Sequence, residues 1–204
     1  MVKVSLLLWD VGGVLLSNAW DHAGRRAAAD RFALDAADLE RRHESVAADF
    51  ETGRIDLQDY LSRTVFFVPR PFSRETFVGF MRDCSVALAS PLATARAVRG
   101  AGEYVMAALN NESRELNHHR IVAFRLKEIF HVFLSSCYTG RRKPDPEAYL
   151  YALHVTQRDP EESLVLDDRL ENVEAAARLG LRTLWVRDPA RLSEDLALAG
   201  IATG

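Results

Sequence analysis

The chain has 204 residues, enough for one compact domain with an insertion and for a buried core. Its hydrophobic fraction of 48% and charged fraction of 27% are those of an ordinary water-soluble globular protein. A net charge of −3, with no basic cluster longer than Arg141-Arg142-Lys143, gives no footing to a nucleic-acid or anionic-membrane partner.

The first predicted element is a strand, Val4 to Trp9, an unbroken apolar run that ends on Asp10 and is followed by Gly12 and Gly13. The run is too short for a signal peptide, is interrupted by Asp10 and lacks a small-residue cleavage site. No other segment approaches the length of a membrane span. Cys84 and Cys137 are therefore expected as free thiols in a cytoplasmic protein.

From Ser17 to Ser90 helix follows helix. Leu39, His43, Val46 and Phe50 recur at helical spacing, then Leu57, Tyr60 and Leu61, then Phe77, Phe80, Met81 and Cys84. Gly53, Pro69 and Pro71 punctuate the stretch. After it strands and helices alternate. Tyr104 to Leu109, His131 to Ser135, Ser163 to Leu166 and Arg182 to Val186 read as buried strands. Helices are expected over Pro91–Val98, from Asp145-Pro146-Glu147 onward, and over Glu171–Leu179 with Gly180 as the stop. The pattern predicts a doubly wound α/β fold with a parallel sheet and right-handed crossovers, carrying an all-helical insertion after the first strand. Such an insertion lies over the carboxyl ends of the strands, where open α/β sheets bind ligands.

Four polar stretches fall on that edge: Asp10-Val11-Gly12-Gly13, Asn110-Asn111, Arg142-Lys143-Pro144-Asp145-Pro146, and Asp167-Asp168 running into Asn172. Taken singly, Asp10 could be an acid at a strand end. Asn110-Asn111 could be a turn, Lys143 a surface charge, and Asp168 a helix N-cap. The adjacent acids Asp167 and Asp168 repel each other unless a cation or basic group is present.

Together, W-D-V-G-G-V-L, A-L-N-N, R-K-P-D-P-E-A-Y-L-Y-A-L and V-L-D-D-R-L-E-N-V-E-A-A-A-R-L-G resemble the haloacid dehalogenase-like hydrolase superfamily, the third and fourth motifs most specifically. Sugar-phosphate phosphatases and the N-terminal phosphatase domain of soluble epoxide hydrolases are closest in character. The resemblance implies a Rossmann-like three-layer α/β core over residues 1–16 and 91–204, with a helical cap over 17–90. It implies Mg²⁺ held by Asp10, the Gly12 carbonyl, Asp168 and, through water or by orienting the site, Asp167. Asp10 would be the nucleophile and Lys143 would offset the paired acids. Phosphate would meet Asn110, Asn111, Lys143 and the Gly12-Gly13 backbone. The implied partner is a small phosphorylated substrate, and the chain would be a monomer or homodimer.

Two positions depart from the family pattern. Most phosphatases of the family carry a second aspartate, the general acid–base, where this chain has Gly12, and Ser or Thr where it has Asn110. Loss of a general acid–base is an effect of roughly 10²–10⁴-fold. Three functions follow: a Mg²⁺-dependent phosphatase whose leaving group needs less acid help, such as an anomeric sugar phosphate; a slow or inactive relative that binds a phosphorylated ligand; and a metal-independent 2-haloacid dehalogenase. The phosphatase is preferred, because some relatives with Gly at this position are phosphatases and because dehalogenases do not need the paired acids. His118-His119 are expected on a solvated helix face, and His22 and His43 on the surface or partly buried. Trp20 is expected to pack a helix and Arg25 and Arg54 to be solvated, although all three could reach a substrate from the insertion.

Overall fold

The computed structural model describes residues 2–202. Five strands, β1 (Leu6–Trp9), β2 (Val105–Ala108), β3 (Val132–Phe133), β4 (Ser163–Asp167) and β5 (Arg182–Trp185), form one parallel sheet in the order β3-β2-β1-β4-β5. Every strand lies inside or within one residue of its predicted run. The largest difference is at β3, where pairing to β2 is limited to Val132 and Phe133. That strand is the sheet's edge, and half of its hydrogen-bonding groups have no neighbour to pair with.

Alternate residues of each strand face opposite sides. Leu7, Trp9, Met106, Ala108, Leu164 and Leu166 point into one apolar layer, and Leu6, Leu8, Ala107 and Val165 into the other. The first layer is covered by α5 (Ala89–Ala101), α6 (Arg114–Ala123) and α10 (Leu192–Leu198), and the second by α8 (Pro146–Thr156) and α9 (Leu170–Arg178). With both faces covered, strand residues have no reason to alternate in polarity, and β1 is buried along its length. Asp145 caps α8 by accepting from the Glu147 backbone at 3.0 Å. The helix predicted to open at Pro91 begins two residues earlier, at Ala89, with the proline still in its first turn, where a missing N–H costs nothing.

Between β1 and α5 run four further helices, α1 (His22–Phe32), α2 (Ala36–Glu51), α3 (Leu57–Thr64) and α4 (Arg74–Asp83). They share an apolar cluster of their own that includes Trp20, Phe50, Tyr60, Leu61, Phe77 and Met81, with Leu116 of α6 packed into it. The chain enters and leaves this cluster side by side. Ser17 donates its backbone N–H to the Val86 carbonyl at 2.8 Å, and its hydroxyl accepts from the Val86 N–H at 2.8 Å. A one-turn helix, α7 (Ser136–Thr139), follows β3. None of the described helices is long and apolar enough to cross a membrane. Cys84 and Cys137 are both free.

Candidate active site

The register of the sheet assembles the site. Trp9 of β1 pairs with Ala108 on one side and Leu166 on the other, so the next residue on each strand, Asp10, Leu109 and Asp167, emerges at one edge. The Asp10 N–H donates to the Leu166 carbonyl at 2.8 Å, which fixes the turn out of β1. Asp10, Asp167 and Asp168 bring one carboxylate oxygen each to within 4.8 Å of one another.

Lys143 answers this negative charge from the loop before α8. Its Nζ lies 3.1 Å from Asp10 Oδ2 and 2.5 Å from Asp167 Oδ2, and the lysine is buried. Burial lowers the lysine's pKa, but the carboxylates of Asp10 and Asp167 outweigh it and hold the ammonium above its usual value. Asp10 is pushed up to about 7, chiefly by burial, with Lys143 pulling the other way and the neighbouring aspartates adding to the rise. Three acids and one ammonium leave the cluster short of positive charge. Asp167 has no exposed surface, and its other oxygen accepts from the Arg169 N–H and the Asn172 amide, both at 2.9 Å. It thereby holds Lys143 in place. Asn111 fixes the lysine's backbone by accepting from the Lys143 N–H at 2.9 Å and donating to its carbonyl at 2.8 Å.

The two glycines differ. Gly13 has φ +69°, and a Cβ there would sit 2.0 Å from Asp168 Oδ2, so only glycine lets this loop close on the Asp168 carboxylate. At Gly12 a Cβ would approach Asn18 Oδ1 at 2.8 Å and Arg120 Nη1 at 3.6 Å. The direction in which an acid–base side chain would leave position 12 is thus filled by an amide and a guanidinium. Arg120 is buried, pairs with Glu112 at 3.2 Å and donates to Ser85 Oγ and the Ser17 carbonyl, both at 3.0 Å. Burial raises the Glu112 pKa, against the opposing pull of Arg120.

A cavity of about 330 Å³ opens over this edge. Asp10, Gly12, Asn111 and Lys143 line it from below, together with Glu112 and Arg120. Trp20, Arg25, His43 and Phe50 line it from the helical insertion, with Arg142 and Glu51 paired at 2.7 Å alongside.

Several expectations need correction. Asn110 does not line the cavity. Its amide group donates to Asn117 at 3.2 Å and accepts from the Ser135 hydroxyl at 2.7 Å, inside a sealed polar network behind the strand ends. Through these bonds it braces the β2 and β3 loops. Arg25 is not solvated. It is buried and donates to both oxygens of Glu40, at 2.7 and 2.5 Å, and to the Trp20 carbonyl at 2.7 Å. His43 is buried as well. Arg54 stays exposed, beside Asp49 at 3.3 Å, and His118 and His119 sit on the outer side of α6. Glu112 and Arg120 have no counterpart among the predicted site residues. The i, i+4 spacing of Leu116 and Arg120 puts the arginine on the core side of α6, but a cation on a buried face reads as surface in a sequence.

A model of the haloacid dehalogenase-like hydrolase family matches residues 4–180. The chain is 30% identical over 167 residues to the chloroplast flavin mononucleotide hydrolase 1 of Arabidopsis thaliana, covering 80% of this chain and 65% of that protein. It is also 30% identical over 108 residues to bifunctional epoxide hydrolase 2 of Rattus norvegicus, covering 52% of this chain and 20% of that one. The chain thus spans less than two thirds of these relatives. Among solved structures, a family enzyme from Bacteroides thetaiotaomicron in complex with magnesium superimposes with a TM-score of 0.76 at 19% identity, over 90% of this chain and 93% of that one. The same enzyme with magnesium and inorganic phosphate gives 0.73 at 18% identity, over 90% and 94%. With its sheet, its strand-end acids and a family match over most of its length, the chain belongs to the haloacid dehalogenase-like hydrolases.

Proposed function

We propose that the chain hydrolyses a small phosphomonoester with the help of Mg²⁺, with residues 17–90 acting as a cap over a core formed by 1–16 and 91–204. The observation that carries this reading is the acidic cluster with its charge deficit, closed by one buried lysine. A divalent cation fits the residues present. Asp168 Oδ1 is buried without a hydrogen-bond partner, and Gly13 clears the space beside that carboxylate. The Gly12 carbonyl receives no hydrogen bond among the described residues. Asp10, Asp168 and that carbonyl would hold the ion directly, and Asp167 would orient the site. When bound, Mg²⁺ offsets the charge of the phosphate and of the acids facing it.

The chain's own groups perform the displacement. An Asp10 carboxylate oxygen attacks phosphorus, the bond from phosphorus to the organic oxygen breaks, and that oxygen leaves with the electron pair and takes up a proton. Water then attacks the aspartyl-phosphate, releasing inorganic phosphate and regenerating Asp10. Lys143 holds Asp10 in line and offsets developing charge. Asn111 keeps Lys143 in place, and Gly13 lets the loop backbone approach the phosphate. Asn110 supports the loop from behind.

Gly12 offers no proton to the leaving oxygen, which favours a substrate whose leaving hydroxyl is already acidic, such as an anomeric sugar phosphate. The relatives and neighbours named for flavin mononucleotide hydrolysis and for magnesium and phosphate complexes support phosphoryl chemistry. A second reading, binding of a phosphorylated ligand with little turnover, draws on the same gap at Gly12 and on the guanidinium beside it. A haloacid dehalogenase is disfavoured by the paired acids. Phosphate release from a panel of sugar phosphates, with Mg²⁺ and with a chelator, tests the proposal. Metal-dependent release is expected. Tight binding without release would favour the second reading, and halide release from 2-haloacids without metal would overturn both.

A further inference from the structure

On the cavity wall contributed by the helical insertion, three side chains from different segments form a line of hydrogen bonds. Trp20 Nε1 donates to the Tyr60 hydroxyl at 2.8 Å, and that hydroxyl lies 3.0 Å from His43 Nδ1. An indole N–H can only donate, so the Tyr60 oxygen accepts there. Tyr60 is fully buried, and its own O–H needs an acceptor. Among the described residues the acceptor within reach is His43 Nδ1. That nitrogen is therefore unprotonated, and the ring proton sits on Nε2.

Packing holds the arrangement. Phe50 stacks on Tyr60 with centroids 4.0 Å apart and planes at 11°, and His43 meets the same ring edge-on at 5.9 Å and 80°. Burial, with Arg25 and Arg142 adding to it and Glu40 opposing, keeps the imidazole below its ordinary range, at about 4, and so neutral near pH 7. Nε2 has no hydrogen-bond partner among the described residues. It is not sealed inside the protein either, and His43 lines the cavity. The phosphate end of that cavity is already supplied with cationic groups at Lys143 and Arg120.

We propose that His43 is a specificity-determining residue whose fixed Nε2–H donates to a neutral oxygen, a hydroxyl or carbonyl, on the organic part of the substrate. The inference rests on the phosphatase reading for the word substrate, but not for the state of the ring. The phosphate end of the cavity has its own cations, so this donor on the insertion wall is left for the organic part of the substrate. The Glu51–Arg142 pair beside it offers an acceptor and further donors on the same wall, and the rings of Trp20 and Phe50 give an apolar floor. That combination suits a polyhydroxylated leaving group such as a sugar.

The test joins ring-nitrogen NMR with kinetics. Protein labelled with ¹⁵N-histidine should show His43 as a single Nε2–H tautomer that does not titrate between about pH 6 and 8. In Asp10→Asn protein, where turnover is blocked, a sugar phosphate should move the His43 Nε2–H signal and inorganic phosphate should not. His43→Phe should raise KM for a sugar phosphate about tenfold, the worth of one hydrogen bond. It should change KM for p-nitrophenyl phosphate by less than about twofold on the same reasoning. Tyr60→Phe keeps the imidazole but frees its tautomer. It should mix in Nδ1–H and raise KM in the same direction by less, so the inference stays testable should His43→Phe fold poorly. An Nδ1–H tautomer in the wild type, titration near the ordinary histidine range, or equal KM changes for both substrates would overturn the proposal. Failure of the wild type to release phosphate from any ester would strike at the phosphatase reading instead, while the tautomer and its response to the sugar phosphate would still decide the role of His43.

Discussion

The two walls of the cavity are built on different principles. The sheet-edge wall is made of buried charge: Asp10, Asp167 and Lys143 lie at strand ends or in the adjoining loop, and each is held by ionic or backbone contacts. Register places them, because Asp10 and Asp167 follow paired residues on neighbouring strands. The insertion wall presents the rings of Trp20, His43 and Phe50, with Arg25 beside them paired to Glu40, and helix packing places it. Chemistry common to a family can sit on a backbone edge that sequence motifs mark, whereas recognition of one substrate can sit on side chains that any helix pairing could bring together.

Removing the nucleophile should give the largest effect. Asp10→Asn is expected to cut phosphate release by on the order of 10⁴-fold or more, with the fold retained because the amide has nearly the same shape. Steady-state phosphate release and circular dichroism together check it. Full activity in that variant would remove Asp10 from the chemistry.

Next comes a direct comparison of the two walls through one cation from each. Lys143→Met leaves Asp10 and Asp167 without their ammonium, both in contact with it and Asp167 wholly buried. The expected cost is roughly 3–5 kcal/mol of stability, typical of breaking a buried pair, with part of it recovered when Mg²⁺ is added. Arg25→Met breaks a pair whose Glu40 side chain keeps 26% exposure, so water can solvate the carboxylate left behind. A cost of about 1–2 kcal/mol, insensitive to Mg²⁺, is expected there. Urea unfolding with and without the metal measures both, and equal costs would abolish the contrast drawn between the walls.

The same contrast explains what the sequence discloses. The strands are legible because a sheet covered on both faces produces continuous apolar runs. The strand-end residues are legible because Asp10, Lys143, Asp167 and Asp168 sit in fixed local frames of glycine, proline and adjacent acid. The division of labour between Asn110 and Asn111 is not legible, because only the fold shows that Asn111 is the one that turns toward the lysine loop. Arg120 and Asn117 could not be read at all. They occupy the buried face of α6, so the apolar stripe that would reveal that face is broken by the residues that matter. Arg25 is masked in the same way, because its partner Glu40 belongs to another helix.

Acid should weaken the insertion wall in a defined window. His43 titrates at about 4 in the fold and near 6.5 when unfolded, so between those values the unfolded chain binds the extra proton. Its contribution is complete above about pH 6.5 and is lost as pH falls toward 4, amounting to on the order of 3 kcal/mol. Arg25, Arg142, Glu40 and Tyr60 are the charged or titratable groups around the ring. The difference in unfolding free energy between wild type and His43→Gln, followed from pH 7 to 4, isolates the histidine from the carboxylates. A difference that does not change with pH would mean the ring has the same pKa in the folded and unfolded chain.

The smallest expected effect bears on why the sheet-edge wall lacks an acid. Gly12→Asp restores a carboxylate where most family phosphatases carry one, and the backbone there is not in the left-handed region that would strain it. Two neighbours limit the gain. Asn18 Oδ1 stands 2.8 Å from the new Cβ, on an exposed side chain that can move, and Arg120 Nη1 stands 3.6 Å from it. The guanidinium stabilises the ionised form of any acid placed beside it, which makes that acid a poorer proton donor to a leaving oxygen. Turnover of alkyl phosphates should therefore rise by only about tenfold, well short of the full effect of a tuned acid–base. Gly12→Asp combined with Arg120→Gln should rise further, because the introduced carboxyl is then free to hold its proton. If the double variant gains nothing over the single one, Arg120 does not set the acidity at this position.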